Sequence, residues 1–240
     1  MSLHFPFVIL ISANSEWQEV LTCLQSATVS RATLGEFLIK PINGEQDVFF
    51  HSGWGKISSA AVTQFAIQNR SPELIINLGT CGGLEGLAKI GETLLVDQTM
   101  NYDVIESMSD YTQALNYYSC KTDYFWIKDP LPKNTRRALL ISADQDIQPK
   151  NFDLIAGQFH ATCADWESNA IAWVANRNHI PWIILRSVSD LVGRETAETS
   201  GNVDLWRHRL PELMRALLET LPWYLSQFQE NYLATFPRNS

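Results

Sequence analysis

Glu73-Leu-Ile-Ile-Asn-Leu-Gly-Thr-Cys-Gly-Gly-Leu84 is the stretch on which the fold turns. Its opening residues make a nearly continuous apolar run, the pattern of a strand buried on both faces beneath helices. Glycines at 79, 82 and 83 then predict a turn in which backbone approaches a ligand closely. Ser52-Gly-Trp-Gly-Lys56 follows the apolar segment Asp47–His51 in the same manner and leads into a helix over 57–69. Successive N–H groups in such turns can cradle an oxyanion or a sugar edge, although each cluster also reads as a plain tight turn. Lys56 lacks P-loop spacing, and no G-x-G-x-x-G string is present.

Outward from these turns, apolar strands alternate with helical segments. Strands are expected at Phe5–Ser12, Thr93–Gln98, Arg137–Ser142 and Trp182–Ser187. A helix starts at Asn14 or Ser15 and runs to Gln25, with Val20, Leu21 and Leu24 facing inward, and another spans Trp166–Asn178. Residues 107–135, rich in Tyr, Asp, Lys and Pro, read as an irregular excursion. Pro211 is expected to start a C-terminal helix that Pro222 kinks or ends. The alternation implies one α/β layered domain over residues 1–230, with 231–240 as a weakly ordered tail.

The 240 residues are 45% hydrophobic and carry a net charge of -8, enough for a large core in an acidic chain. Cations occur in nothing larger than pairs such as Arg136-Arg137, which argues against a nucleic-acid partner. Phe7-Val-Ile-Leu-Ile11 is too short to span a bilayer and has no basic flank or cleavage site, so neither membrane nor export is expected. Cys23, Cys81, Cys120 and Cys163 are scattered, as suits reduced thiols in a cytoplasm. No Cys/His spacing resembles a metal site, and no cofactor is called for.

Two carboxylates carry the chemistry: Glu167 in Ala164-Asp-Trp-Glu-Ser168, and Asp190 in Leu185-Arg-Ser-Val-Ser-Asp190. A pair of this kind can hold a sugar with one member and protonate a leaving group with the other. The plainer readings are that Glu167 caps the helix it begins and that Asp190 merely ends a strand.

Taken in order, Ser52-Gly-Trp-Gly-Lys56, Ile75-Ile-Asn-Leu-Gly-Thr-Cys-Gly-Gly83, Asp165-Trp-Glu-Ser-Asn-Ala-Ile-Ala172 and Arg186-Ser-Val-Ser-Asp190 resemble the nucleoside phosphorylase/nucleosidase superfamily. The most similar branch is 5′-methylthioadenosine/S-adenosylhomocysteine nucleosidase, and the likeness spans residues 5–218. It implies a single three-layer α/β/α domain around a mixed, strongly curved sheet, a homodimer, and cleavage of a purine nucleoside at its N-glycosidic bond. By that resemblance Glu167 holds the ribose hydroxyls, and Asp190 protonates N7 of the departing purine with Ser189 to orient it. Thr80, Cys81 and Gly82 line sugar and base, and Glu16 positions the attacking water, with Glu19 as competitor. Arg186 either ties the Asp190 segment in place or pairs with a surface acid.

Asn77 stands where an arginine is expected in the hexameric phosphorylases, which leaves a phosphate short of cations and favours hydrolysis to free base and ribose sugar. A phosphorylase and a non-catalytic nucleoside-binding protein are the alternatives. The stretch Ser142-Ala-Asp-Gln-Asp-Ile147 aligns with the segment that packs on adenine, yet Asp146 replaces an expected aromatic ring beside Ile147. Loss of that ring removes a stacking surface worth about 1 kcal/mol. Trp54 or Trp166 can supply a substitute ring, and Asp144 or Asp146 can read a donor on the base edge. Trp54 equally reads as a wall of the 5′ pocket or as a core or interface residue.

Overall fold

A computed structural model describes residues 5–25, 28–42 and 44–237. Its centre is a ten-stranded mixed sheet. β1 (Phe7–Ile11) lies between β4 (Glu45–His51) and β5 (Leu74–Leu84), parallel to both, and every β1 residue is buried, as its unbroken apolar run requires. β3 (Glu36–Ile42) and β2 (Ser30–Arg31) extend this wing antiparallel. Neither is visible in the sequence, because β3 buries only Leu38 and carries Lys40 and Pro41, and β2 has two residues. Pro41 is tolerated because β2 pairs only with Glu36 and Phe37, leaving that end of β3 as an edge.

The other wing closes on itself. β10 (Trp182–Val192) runs parallel to β5 and antiparallel to β6 (Thr93–Asn101). β6 is parallel to β8 (Thr135–Ser142), β8 to β9 (Cys163–Asp165), and β9 returns antiparallel to β5. The two-residue β7 (Cys120–Lys121) adds to β6. This ring gives the mixed, curved sheet that the resemblance implies. α1 (Asn14–Cys23) packs on α5 (Val203–Gln227), and α2 (Gly55–Arg70) packs on α4 (Ser168–Arg177), which supplies the helical layers.

Several expectations need correction. Gly79, Gly82 and Gly83 do not form a turn; they lie inside β5, which continues to Leu84. A side chain at Gly79 or Gly83 would collide with its surroundings, and one at Gly82 would press on Ile147: a Cβ at Gly79 would stand 2.7 Å from Arg186 Nη1 and 3.0 Å from Glu16 Oε2. The missing side chains clear room for a site rather than bend the backbone. At Gly53 and Gly55, by contrast, φ is +75° and +78°, so that turn does need glycine.

α1 buries Glu16, Trp17 and Val20, while Leu21 and Leu24 only lean on the core. The excursion contains α3 (Tyr111–Tyr118), capped by Asp110, and drives Tyr124 and Trp126 into the core. α5 starts eight residues before Pro211 and runs through both prolines. Asn202 caps it by accepting from the Leu205 N–H at 3.3 Å. Burial of Leu210, Leu213, Met214, Leu217, Leu221, Tyr224 and Leu225 outweighs the hydrogen bonds the prolines remove. Beyond residue 230 the chain stays helical to Thr235; Tyr232 stacks on Phe228 at 4.6 Å, and Asn231 Nδ2 donates to the Trp126 carbonyl at 3.0 Å. Residues 238–240 lie outside the described part. Among the described residues no helix is long and apolar enough to cross a membrane.

Candidate active site

The site gathers where β5 and β10 run side by side. Glu16, on the first turn of α1, is buried and points at β5. Its Oε1 accepts the Thr80 N–H at 2.6 Å and the Thr80 hydroxyl at 2.8 Å, while Oε2 accepts the Ala13 N–H at 3.3 Å. Burial pushes its carboxyl above the usual range, opposed by the Arg186 cation and these donors. Glu16, rather than Glu19, is therefore the acid of α1 that meets β5. Trp206 of α5 donates its indole N–H to the Thr80 hydroxyl at 3.1 Å.

Arg186 resolves differently from either expectation: it meets a buried acid. Its Nε and Nη2 both reach Asp165 Oδ2 at 2.7 Å, and Nη2 also donates to Asn77 Oδ1. Asn77 in turn donates to the Leu10 carbonyl at 2.9 Å. Nη1 is buried without a hydrogen-bond partner. Burial works against the guanidinium, but Asp165, Glu16 and Glu167 outweigh it and hold the charge.

Glu167 occupies the cap position of α4, yet its side chain makes no capping bond. Asp165 takes that task, accepting the Ser168 N–H at 3.2 Å together with the Ser142 hydroxyl at 2.7 Å and the Ser168 hydroxyl. Glu167 is thereby free to turn away, and its Oε1 accepts the Gly55 N–H at 2.9 Å at the start of α2. Burial, helped by the neighbouring Asp165 carboxylate, pushes Glu167 up to about 8. The helix-cap reading of Glu167 thus fails, and the residue that does cap, Asp165, was not singled out in the sequence.

Asp190 lies within β10, not in a loop. A β-bulge between Val188 and Asp190 shifts the register so that Asp190, rather than Ser189, stands opposite Gly82. A Cβ at Gly82 would stand 3.7 Å from Asp190 Oδ2 and 3.3 Å from Ile147 Cδ1, so acid, bare strand and Ile147 converge. Asp190 Oδ1 accepts the Ser189 hydroxyl at 2.6 Å, which is also 3.1 Å from the Cys81 carbonyl. Burial raises the Asp190 carboxyl, against these hydroxyl donors. Thr80 and Gly82 are two residues apart on one strand, so Glu16 and Asp190 are anchored roughly 7 Å apart along it.

The remaining candidates sit at the rim. Asp146 is exposed and accepts the Trp166 indole N–H at 3.2 Å. Asp144 accepts the Lys56 N–H at 3.0 Å at the start of α2, and Lys56 Nζ bridges Asp103 and Asp144. Trp54 caps α2 with 63% of its surface exposed, so it is not a core residue of this chain. Cys81 is buried beside Cys163, and burial raises its thiol well above the ordinary value. The four cysteines are free, and among the described residues no group of His, Cys, Asp and Glu could hold a metal ion.

Residues 7–219 match the family model described as Phosphorylase superfamily. A 5′-methylthioadenosine/S-adenosylhomocysteine nucleosidase from Buchnera aphidicola is 28% identical over 194 residues, covering 73% of this chain and 81% of that protein. The nucleosidase of the same name from Halalkalibacterium halodurans is 28% identical over 199 residues, covering 78% and 86%. Among solved structures, the nucleosidase of S. pneumoniae with a transition-state inhibitor superposes with a TM-score of 0.74 at 18% identity, over 92% of this chain and 99% of that one. A futalosine hydrolase mutant from Helicobacter pylori superposes at 0.73 with 16% identity, over 89% and 97%. At such identities these likenesses speak to the fold.

Proposed function

We propose that this chain, which belongs to the phosphorylase superfamily, is a purine nucleosidase that hydrolyses the N-glycosidic bond to free base and ribose sugar. The observation that carries this reading is the convergence of Glu16 and Asp190 on one bare stretch of β5, with Glu16 and Glu167 both acting on the buried Arg186. The curated relatives named above are nucleosidases, which places 5′-thio-substituted adenine nucleosides first among substrates.

A purine leaves poorly as an anion, so a proton must reach it as the bond breaks. Asp190 is raised by burial and is poised to keep a proton for N7. The sugar becomes oxocarbenium-like, and Glu16 and Glu167 favour that positive charge in their ionised forms, which for Glu167 the ribose hydroxyls promote by donating to it. Ribose hydroxyls would add donors to Glu167, whose Oε1 already accepts the Gly55 N–H. Glu16 and the unpartnered Nη1 of Arg186 flank the same point above Gly79, where a water can be held and relieved of a proton.

Hydrolysis is preferred to phosphorolysis on charge. Arg186 is committed to Asp165 and surrounded by Glu16 and Glu167, and Lys56 is held by Asp103 and Asp144. A phosphate entering there would meet acids, with both cations already engaged by carboxylates. We assign the base-facing wall to Ile147, which approaches Gly82, and to the Trp166 ring, whose indole N–H Asp146 holds, in place of the expected aromatic. We also assign a homodimer, in which a second copy covers apolar surface such as Trp54 and Ile57 on the first turn of α2. A nucleoside panel tests the reading: adenine-type nucleosides should release base, with free sugar as co-product. Binding without turnover across the panel would refute it.

A further inference from the structure

We propose that Thr199, on the loop between β10 and α5, is a positioning residue for Asp190, its hydroxyl fixing the acid's Oδ2 towards the base. The inference rests on Asp190 being the general acid proposed above. Thr199 Oγ1 donates to Asp190 Oδ2 at 2.9 Å, and Oδ2 is the oxygen that faces Gly82. Ser189 holds the other oxygen, so the carboxyl plane is pinned at both ends.

The loop is built to deliver this hydroxyl. Val192 bridges Ala197, the Gly193 N–H donates to the Thr196 carbonyl at 2.8 Å, and the Glu198 N–H donates to the Leu191 carbonyl at 3.1 Å. The Glu198 carboxylate accepts the Leu191 N–H at 2.9 Å and Arg209 Nη1 at 3.1 Å. Arg209 also reaches the Ser189 carbonyl at 2.7 Å, so α5, the loop and β10 are clamped together one residue from Thr199.

The two hydroxyls differ in what they can do. Ser189 has a second acceptor, the Cys81 carbonyl, and can turn its proton there when Asp190 is protonated. Thr199 Oγ1 donates to Asp190 Oδ2 and stays on the carboxyl through the proton transfer. As the proton passes from Asp190 to the purine nitrogen, negative charge grows on the carboxylate. A hydrogen bond to a charged acceptor then strengthens, so Thr199 favours the transition state over the ground state. The charged groups facing Asp190 are Glu198 on the loop, which disfavours its ionisation, and Arg209 on α5, which favours it. From β5 the nearest titratable group is the buried thiol of Cys81.

The test is steady-state cleavage of 5′-methylthioadenosine from pH 5 to 10 by wild type, Thr199→Val and Thr199→Ser. Thr199→Val should lower kcat about tenfold to a hundredfold with KM little changed. The high-pH limb, where a required acid loses its proton, should move to higher pH because the ionised form has lost a donor. Thr199→Ser should restore both. An unchanged limb with wild-type kcat in Thr199→Val overturns the inference, as does a fall in kcat that serine does not rescue. If wild type itself releases no base, it is the nucleosidase reading that fails instead.

Discussion

Replacing Glu167 by glutamine should make the protein more stable in alkaline solution while disabling it. The Glu167 carboxyl rises from 4.5 to about 8 on folding because burial and the Asp165 carboxylate oppose its charge. Below its unfolded value both states hold the proton and nothing is lost. Between that value and about 8 only the unfolded chain ionises, so wild-type stability falls as pH rises, and above about 8 the cost is complete. At about 1.4 kcal/mol per tenfold in the proton equilibrium, the full cost is about 5 kcal/mol. Glutamine has the same shape, stays neutral, and its Oε1 can still accept the Gly55 N–H. That cost is already net of the attraction to Arg186, so the expected gain is about 5 kcal/mol at pH 9 and about 1 kcal/mol near pH 5. In urea titrations this is a midpoint shift of about 1–2 M at pH 9. Equal midpoints at pH 9, or a gap that does not widen from pH 5 to pH 9, would refute the reasoning. Nucleoside cleavage should fall in the same variant, a cost of function held in the site rather than in the core.

Asp190→Asn should lower kcat by about a hundredfold to ten-thousandfold with KM within a few-fold of wild type, read by adenine release under saturating nucleoside. Arg186→Met leaves buried Asp165 without its cation and should destabilise by about 3–5 kcal/mol in urea unfolding; adding Asp165→Asn should recover part of that, as a double-mutant cycle will report. Asp146→Ala releases the Trp166 indole and should raise KM about fivefold for adenosine-type and inosine-type nucleosides alike. A changed ratio between the two classes would instead make Asp146 a reader of the base edge.

The buried strands were legible because their apolar runs leave little choice: β1, β5 and β10 have every or nearly every residue buried. Among the strands that escaped notice are β3, which buries only Leu38 and carries Lys40 and Pro41, three-residue β9, and the two-residue β2 and β7. Prolines misled at α5, since Pro211 and Pro222 mark helix boundaries locally but are overruled by the apolar face packed beneath them. The glycines of β5 were noticed for a sound reason and given the wrong conformation. They matter for the side chains they lack, a tertiary fact that local turn chemistry does not contain. At the site, Glu16, Glu167 and Asp190 stood out as acids beside apolar segments. Asp165 did not, because its value is to free Glu167 from capping α4 and to neutralise Arg186. Thr199 and Trp206 arrive from a loop and a helix beyond β10, and no periodicity points from there to β5 or Asp190.

The sugar product of 5′-methylthioadenosine cleavage, identified by mass spectrometry with and without inorganic phosphate, tests the central claim most directly. Free adenine and a free reducing sugar in equal amounts, at a rate indifferent to phosphate, is the predicted result. A sugar 1-phosphate formed only when phosphate is present would contradict it.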